Sequence, residues 1–310
     1  MFRYGSVCSG IEAASVAWHG LGWRASFLSE IDAFPRAVLA HHYPDTPLHG
    51  DFTTIEEDQY EPIDLLVGGT PCQSFSIAGL RGGLADDRGN LALEFLRLAD
   101  RTRPRWLVWE NVPGVLSSNG GRDFGSIIGG MVKLGYGIAY RVLDAQYFGV
   151  AQRRRRVFVV GYLGDWRRAA AVLFERASLR WDTPPRRKTR EGLAPSLAAR
   201  TTGGGGLGTD AELDGAVGAL CRDSFSGGAG GRPEGAASGH FLAVNSAVRR
   251  LTPRECERLQ GFPDDYTLIP YRGKPAADGP RYKALGNSMA VPVMRWIGDR
   301  IAKVEACHAP

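Results

Sequence analysis

The sequence lacks any uninterrupted apolar run long enough to cross a lipid bilayer. It also lacks close cysteine pairs: Cys8, Cys72, Cys221, Cys256 and Cys307 are odd in number and widely separated. That spacing argues against a zinc site or a disulfide framework and favours reduced thiols. The first residues do not show the charged-then-apolar pattern of a secretory signal. These absences exclude a membrane-spanning protein and predict a cytoplasmic protein without a metal site.

What the chain does contain is enough apolar residue for a large core. It has 310 residues, of which 44% are hydrophobic, and a net charge of +5. That length exceeds one average domain, so we expect one large domain and a smaller one. Arginine outnumbers lysine among the basic residues, and guanidinium groups suit phosphates and guanine edges. The charge is compatible with a nucleic-acid partner but does not by itself indicate one.

Strand-like and helix-like segments alternate through the first half of the chain. This order predicts an α/β fold whose parallel sheet is covered by helices on both faces. Ligands of such sheets bind at the carboxyl ends of the strands. Four chemically reactive side chains fall at or near predicted strand ends: Cys8, Glu30, Cys72 and Glu110. We therefore expect the functional site at this edge.

The composition changes near Asp165, where regular alternation gives way to glycine-rich stretches. Such stretches bury little surface and are typical of loops. Regular patterning resumes near Val248. There Thr252, Pro253 and Glu255 predict the capped start of a helix. The last segment, from Ala284 to Val304, predicts a turn followed by an amphipathic helix. No internal repeat is visible.

The stretch "GGTPCQSFS" places Cys72 directly behind the apolar run "IDLLV". Pro71 fixes the local backbone and the preceding glycines allow a sharp turn, so the thiol could face a ligand. A lone cysteine is more often inert packing. Glu110 ends another apolar strand, where an acid is commonly the solvated start of a loop. Together, a thiolate could attack a heteroaromatic ring while the carboxyl supplies a proton to a ring nitrogen.

The stretch "QRRRRVFVV" carries consecutive arginines into an apolar strand. Alternating strand geometry predicts that Arg154 and Arg156 share one face, with Arg153 and Arg155 on the other. An inward arginine needs an acid, a phosphate or a carbonyl group as partner. This requirement distinguishes the stretch from an ordinary run of surface charges, whose side chains need no protein partner.

In this order, "GGTPCQSFS", "ENV", "QRRRRVFVVG" and "YKALGNSMAVPV" resemble the hallmark blocks of DNA cytosine-5 methyltransferases. The similarity covers nearly the whole chain except the glycine-rich region. It implies a Rossmann-like S-adenosylmethionine domain, expected at 1–164 and 276–310. It also implies a smaller target-recognition domain, expected at 165–275.

The same resemblance implies a reaction and its catalytic residues. A cytosine is flipped out of duplex DNA, Cys72 adds to C6, Glu110 protonates N3, and C5 accepts the methyl group. Arg154 resembles the arginine that contacts the flipped base, and Arg156 the one that supports the fold and catalytic loop.

The cofactor residues follow from the resemblance as well. In the first block, Cys8 stands where the family has an aromatic residue and Glu12 where it has a second glycine. Glu30 matches the acid that binds ribose hydroxyls, with Ile31 as an apolar wall. Residues expected at the cofactor are Cys8, Ser9, Gly10, Ile11, Glu30, Ile31, Asp51, Phe52, Pro71, Asn287 and Ser288.

For DNA, the resemblance implies a loop from Gln73 to Arg88 that closes over the duplex. The residues expected to contact DNA are Gln73, Ser74, Arg88, Arg156, Arg186, Arg187 and Arg249. Target specificity is expected between about Asp165 and Ala247, where the sequence offers no readable code.

Three functions remain open at this point: an active DNA cytosine-5 methyltransferase, a related tRNA cytosine-5 methyltransferase, and a DNA-binding homologue without turnover. The joint presence of Cys72, Glu110 and Arg154 argues against the last. The long segment after Asp165 favours duplex DNA over tRNA. The resemblance further suggests a bacterial or phage-borne monomer, acting in the cytoplasm at the nucleoid. The resemblance leaves open whether the chain has a cognate restriction endonuclease, is an orphan or is phage-encoded, and no obligate protein partner or membrane is expected.

Overall fold

The computed structural model describes residues 1–71, 91–174, 241–244 and 247–307, the strands at 241–249 by their backbone. Six residues expected at the site lie outside the described residues: Cys72, Gln73, Ser74, Arg88, Arg186 and Arg187. Arg249 lies in a short strand whose backbone is described.

The chain is built around a seven-stranded sheet. Its strands in chain order are β1 (Arg3–Val7), β2 (Arg24–Ser29), β3 (Leu48–His49), β4 (Leu65–Gly68), β5 (Trp106–Asn111), β6 (Tyr136–Asp144) and β7 (Arg155–Leu163). In space their order is β3-β2-β1-β4-β5-β7-β6. The strands from β1 to β5 run parallel. This confirms the predicted α/β, Rossmann-like class.

Strand β7 departs from the expected all-parallel sheet, because it runs antiparallel to both β5 and β6. Only a short 3₁₀ turn at Ala145–Phe148 lies between β6 and β7. A parallel connection would need a crossover of a dozen or more residues, usually a helix. The absence of such a helix between the two strands therefore dictates the reversal.

The described helices are α1 (Ala13–Trp18), α2 (Ala33–His42), α3 (Leu91–Thr102), α4 (Arg122–Lys133), α5 (Trp166–Leu173), α6 (Pro253–Gln260), α7 (Asp278–Asn287) and α8 (Val291–Ala306). None of them combines the length and apolarity that crossing a bilayer requires.

Each face of the sheet packs against its own core. On one face, Leu65 and Val67 belong to the core formed with helices α1, α2, α5, α6, α7 and α8. On the other face, Leu66 belongs to the core formed with α3 and α4. Because successive strand residues point to opposite faces, a strand buried on both sides reads as a continuous apolar run. The predicted coverage of both faces is confirmed.

The C-terminus of α5 is held by two arginines. The Arg300 guanidinium donates to the carbonyl oxygens of Ala171, at 2.5 Å, and Phe174, at 3.0 Å. Arg141 donates to the carbonyl oxygen of Leu173 at 2.9 Å. Cations at this end of a helix satisfy its last carbonyl groups and complement its dipole. Helix α5 thus packs firmly on β6, β7 and α8, just before the glycine-rich part of the sequence.

The chain after that part returns through small elements. Two antiparallel pairs form, β8 (Phe241–Val244) with β9 (Ala247–Arg250) and β10 (Pro270–Tyr271) with β11 (Lys274–Pro275). Helix α6 opens with the predicted cap, a reciprocal capping box between Thr252 and Glu255. The Tyr282 hydroxyl donates to the carbonyl oxygen of Leu251 at 2.6 Å, which fixes the start of this returning segment.

Candidate active site

The backbone that leads to Cys72 lies beside Glu110. In the β4–β5 pair Gly68 faces Trp109, so the next residues, Gly69 and Glu110, are neighbours at the sheet edge. A Cβ on Gly69 would lie 3.0 Å from Glu110 Oε2 and 3.0 Å from the Met289 methyl carbon. A side chain here would crowd both groups, so glycine suits this close approach.

Thr70 ties the same stretch to β5. Its hydroxyl accepts a hydrogen bond from Trp109 Nε1 at 2.9 Å, and its carbonyl oxygen accepts one from Asn111 Nδ2 at 3.0 Å. Thr70 is buried, whereas Pro71, expected at the cofactor, is exposed and is the last described residue before Cys72. The path of the chain up to Cys72 is thus fixed next to the Glu110 carboxyl.

Glu110 is a buried acid with a cationic partner. Its side chain is 11% exposed, and Oε1 lies 3.0 Å from Arg156 Nε. Burial raises the pKa of Glu110 above its usual range, although Arg156 and Arg154 act to lower it. A carboxyl that holds its proton more strongly at neutral pH can act as a general acid toward a ring nitrogen.

The arginine block alternates as predicted, since Arg153 and Arg155 are exposed while Arg154 and Arg156 point inward. Their described partners are different parts of the protein. Arg154 is 3% exposed, and its guanidinium donates to the carbonyl oxygens of Gly286, at 3.1 Å, and Ser288, at 2.7 Å. Arg156, expected to support the fold, is instead the arginine that contacts Glu110.

Two buried glutamines, to which the sequence analysis gave no role, complete the support of the same turn. Gln152 Nε2 donates to the Leu259 carbonyl oxygen at 2.9 Å and to Gln260 Oε1 at 3.3 Å. Gln260 Nε2 in turn donates to the Leu285 carbonyl oxygen at 2.7 Å. Neither glutamine stands out in the sequence, since Gln152 precedes four arginines and Gln260 ends a charged helix. Only the structure shows that both are buried, where their amides must find partners.

A cleft opens at the carboxyl ends of β1 and β4. It is lined by Ser6, Val7, Cys8, Ser9, Gly10, Glu12, Ala13, Ala14, Val67, Gly69, Glu110, Asn287, Ser288 and Met289. It brings together the predicted Cys8, Ser9, Gly10, Asn287 and Ser288 with the acid Glu110. Residues from both ends of the sequence therefore share one cleft.

The turn after β1 is joined to the end of β2 by Glu30. Glu30 Oε2 accepts a hydrogen bond from the Gly10 amide at 2.8 Å, and Oε1 accepts from the amides of Ile31 and Asp32, each at 2.8 Å. Gly10 has a φ of 57°, which glycine adopts without strain. Burial raises the pKa of the Cys8 thiol to about 12, so this cysteine stays protonated.

The other expected cofactor residues do not line that cleft. The Ile11 side chain is fully buried in the first core, and Phe52 is 4% exposed in the second. Asp51 is exposed and accepts a hydrogen bond from the Thr53 amide at 3.0 Å. Ile31 is 70% exposed, so its apolar side chain is accessible.

The chain matches one protein family over most of its length. The model of the C-5 cytosine-specific DNA methylases matches residues 2–193 and 223–303. The chain belongs to this family. The predicted DNA cytosine-5 methyltransferase family is thereby confirmed, together with its methyltransferase fold.

Two relatives align with most of this methylase chain but carry different names. A protein of Escherichia phage P1 named "DNA N-6-adenine-methyltransferase" is 36% identical over 461 residues. That alignment covers 97% of this chain and 61% of the phage protein, so the chain spans less than two thirds of that relative. The "Type II methyltransferase M.SsoII" of Shigella sonnei is 32% identical. That alignment covers 89% of this chain and 73% of the Shigella protein.

A solved structure shares the methylase fold. The S. pombe Dnmt2 methyltransferase superposes with a TM-score of 0.69 at 17% sequence identity, covering 100% of both chains. At that identity the likeness concerns the fold alone.

One further residue supports the sheet edge near Glu30 and Asp51. Arg36 Nη1 donates to the carbonyl oxygens of Glu30, at 2.7 Å, and His49, at 2.6 Å. It thereby joins the carboxyl ends of β2 and β3, next to Glu30 and Asp51. Arg36 could not be predicted from the sequence, because a single arginine on a helix carries no recognisable pattern.

Proposed function

We propose that this chain transfers a methyl group from S-adenosylmethionine to C5 of cytosine within a specific sequence of duplex DNA. The observation that carries the proposal is the buried, arginine-paired Glu110 beside the fixed backbone that leads to Cys72. An acid and a thiol at neighbouring strand ends are the two groups that this chemistry needs. The match to the methylase family supports it.

In the proposed reaction the cytosine is flipped out of the helix, because its ring faces are covered inside the stack. The Cys72 thiolate forms a bond to C6 while Glu110 gives a proton to N3. The former C5=C6 electrons then make C5 nucleophilic. After C5 has been methylated, loss of the C5 proton to solvent and breakage of the C6–S bond restore the aromatic ring and Cys72. The N3 proton returns to Glu110.

The residues of the cleft fit S-adenosylmethionine, which when bound supplies a methyl group activated by a sulfonium. Gly69 keeps the space between Glu110 and Met289 open, where any side chain would fill it. Glu30 lies at the end of β2, where an acid can receive ribose hydroxyls. The exposed side chain of Ile31 offers an apolar wall for adenine. Asp51 and Phe52 complete the proposed adenine side.

The partners of the two inward arginines refine their proposed roles. Arg156 lies at the Glu110 carboxyl and is proposed to contact the flipped base with it. Arg154 is proposed as a positioning residue that holds the Gly286–Ser288 turn against the cleft. This assignment exchanges the roles that the resemblance suggested for them.

We further propose a large domain of 1–164 and 276–310 and a recognition domain within 165–275, with α5 packed on the large sheet. The DNA contacts are proposed to come from Gln73, Ser74, Arg88, Arg186, Arg187 and Arg249. The Shigella relative is named a Type II methyltransferase, and we propose that this chain likewise works in bacterial cytoplasm beside a cognate endonuclease.

The test is to incubate the protein with S-adenosylmethionine labelled in its methyl group and either unmethylated duplex DNA or tRNA. The nucleosides are then separated. We expect 5-methyl-2′-deoxycytidine from DNA only. Labelled N6-methyl-2′-deoxyadenosine, the product that the name of the phage relative would suggest, would overturn the proposal. So would label in tRNA alone, or no label at all.

The thiol step has its own test. The C72S variant should lose methyl transfer and keep cofactor binding, because serine is a far weaker nucleophile at the same position. Duplex DNA with 5-fluorocytosine at the target should trap the wild-type protein covalently, because fluorine cannot leave as a proton does. Equal loss of transfer and cofactor binding in C72S would indicate a structural role for Cys72.

A further inference from the structure

Glu12 is a buried acid for which the proposed reaction has no use. It lines the cofactor cleft, is 1% exposed, and has a φ of 65° at the start of α1. The sequence resemblance places a glycine here, and glycine would adopt this backbone conformation without strain. The chain instead keeps a carboxyl group in a conformation that an ordinary residue rarely takes.

The described partners of this carboxyl group are all neutral. Oε2 accepts from the Ser6 hydroxyl at 2.8 Å, and Oε1 accepts from the amide and the hydroxyl of Ser15, both at 3.1 Å. Among the ion pairs of the described residues, none includes Glu12. A carboxylate removed from water without a cation is costly, and hydrogen bonds from neutral groups compensate only part of that cost.

A cationic ligand would supply the charge that is missing. The methionine end of S-adenosylmethionine carries an ammonium, a sulfonium and a carboxylate group, for a net charge of +1 by chemical structure, whereas its ribose end is neutral. Glu12 shares its cleft with Glu110 and with Asn287, which lie where the transferred methyl group must be presented. Glu30, the proposed ribose acid, lies at the end of a different strand. The two acids thus lie at the ends of different strands, as is needed to meet different parts of one ligand.

We propose that Glu12 is the counter-charge for the cationic methionine end of S-adenosylmethionine, so that the protein discriminates against neutral adenine nucleosides. This inference rests on the proposed function, because it assumes that the cleft receives that cofactor. The interaction is between the buried Glu12 carboxylate and a cationic group of the ligand. That group is either the ammonium or the sulfonium of S-adenosylmethionine.

The experiment measures binding by titration calorimetry at pH 8 for wild type and E12Q with three ligands. These are S-adenosylmethionine, S-adenosylhomocysteine, which lacks the sulfonium, and 5′-methylthioadenosine, which lacks both cations. We expect E12Q to weaken S-adenosylmethionine binding about tenfold or more. Binding of 5′-methylthioadenosine should stay within about twofold, because no charge interaction is lost. A loss shared by S-adenosylhomocysteine identifies the ammonium, and a loss confined to S-adenosylmethionine identifies the sulfonium.

The S15A variant is the matched control, because it removes one hydroxyl partner of Glu12 and leaves the charge in place. It should weaken the binding of all three ligands by similar factors. If E12Q fails to fold, E12G replaces it, since glycine suits the backbone at this position.

An equal loss for all three ligands in E12Q, or no loss for any, would overturn the inference. Failure of the wild-type protein to bind S-adenosylmethionine would instead count against the proposed function. The two failures are therefore distinguishable.

Discussion

At the scale of single residues, we expect Glu12 to make the stability of the free protein depend on pH. Burial raises its pKa from 4.5 to about 7, while hydrogen bonds from Ser6 and Ser15 act to lower it. The titratable groups that face it are Tyr4, Tyr43 and Tyr266, whose own pKa values are raised by burial. They stay neutral between pH 5 and pH 8, as judged from the usual tyrosine value of about 10.

Because the folded-state pKa is raised, the stabilisation belongs to the protonated form. It is fully present below pH 4.5 and is lost as pH rises through about 7. We expect E12Q to match wild type near pH 5 and to exceed its free energy of unfolding at pH 8 by up to about 3 kcal/mol. Urea denaturation of both proteins at the two pH values measures this. A constant difference at both values would show that Glu12 does not titrate in this range.

The two inward arginines should give opposite phenotypes. R156A removes the partner of Glu110, so we expect kcat to fall by about tenfold to a hundredfold, with cofactor affinity unchanged. R154A removes a charged donor from two buried carbonyl groups, so we expect about 2–3 kcal/mol lower stability and weaker cofactor binding. Single-turnover rates, calorimetry and urea denaturation separate the two. The reverse pattern would restore the roles that the sequence resemblance suggested.

The different partners of Arg154 and Arg156 could not be predicted from the sequence, because they depend on residues that are distant along the chain. Alternation in a strand correctly placed Arg154 and Arg156 on one face, but two residues on one face are equivalent until their neighbours are known. Glu110 and the Gly286–Ser288 turn, distant in sequence, distinguish them. In the same way, the sequence showed an acid at Glu12 in place of glycine, whereas its burial depends on packing by residues far along the chain.

At the scale of elements, local patterns predicted most of the large sheet and its helices. An apolar run bounded by glycine predicted β4, and the helical spacing of apolar residues predicted α3, α4 and α8. The reversal of β7 follows from the absence of a helix between β6 and β7. This feature was already visible in the sequence, but a fully parallel sheet was expected. Contacts between helices that are distant in sequence carried no such local signal.

The contact between α1 and α8 is the clearest example. Trp18 is fully buried, and its Nε1 donates to the carbonyl oxygen of Met294 at 2.8 Å. Gly298, one turn further along α8, lies so close that a Cβ would overlap the indole ring. The G298A variant should therefore lose about 1–3 kcal/mol of stability, because the core is overpacked.

Gly129 provides the matched control for this prediction. It is exposed on α4, and a Cβ there would meet nothing within 4 Å. G129A should gain up to about 1 kcal/mol, because alanine favours the helix. Urea denaturation of both variants tests the pair, and a gain in G298A would show that the helices separate readily.

At the scale of the whole molecule, the cleft proposed to hold the cofactor joins both ends of the sequence. Cys8, Ser9, Gly10 and Glu12 line it together with Asn287, Ser288 and Met289. Ligand binding to the folded form should therefore stabilise the sheet and the returning segment together. At a hundredfold excess over Kd, S-adenosylmethionine should add about 2.7 kcal/mol to the free energy of unfolding.

Calorimetric unfolding with and without the cofactor checks this expectation. The whole transition should move to a higher temperature as one peak. Two separate peaks, of which only one moves, would show that the two ends unfold independently.

The arginine clamp on α5 and the hydroxyl of Tyr282 have a consequence for how such proteins diversify. Arg300 and Arg141 hold the backbone up to Phe174, and Tyr282 holds it again at Leu251. The attachment points of the intervening stretch are thus fixed by the large sheet and its helices, independently of what lies between them. We therefore expect that stretch, the proposed recognition domain, to be replaceable as a unit in evolution, so that a lineage could change its target sequence while the chemistry proposed at Glu110 stays the same.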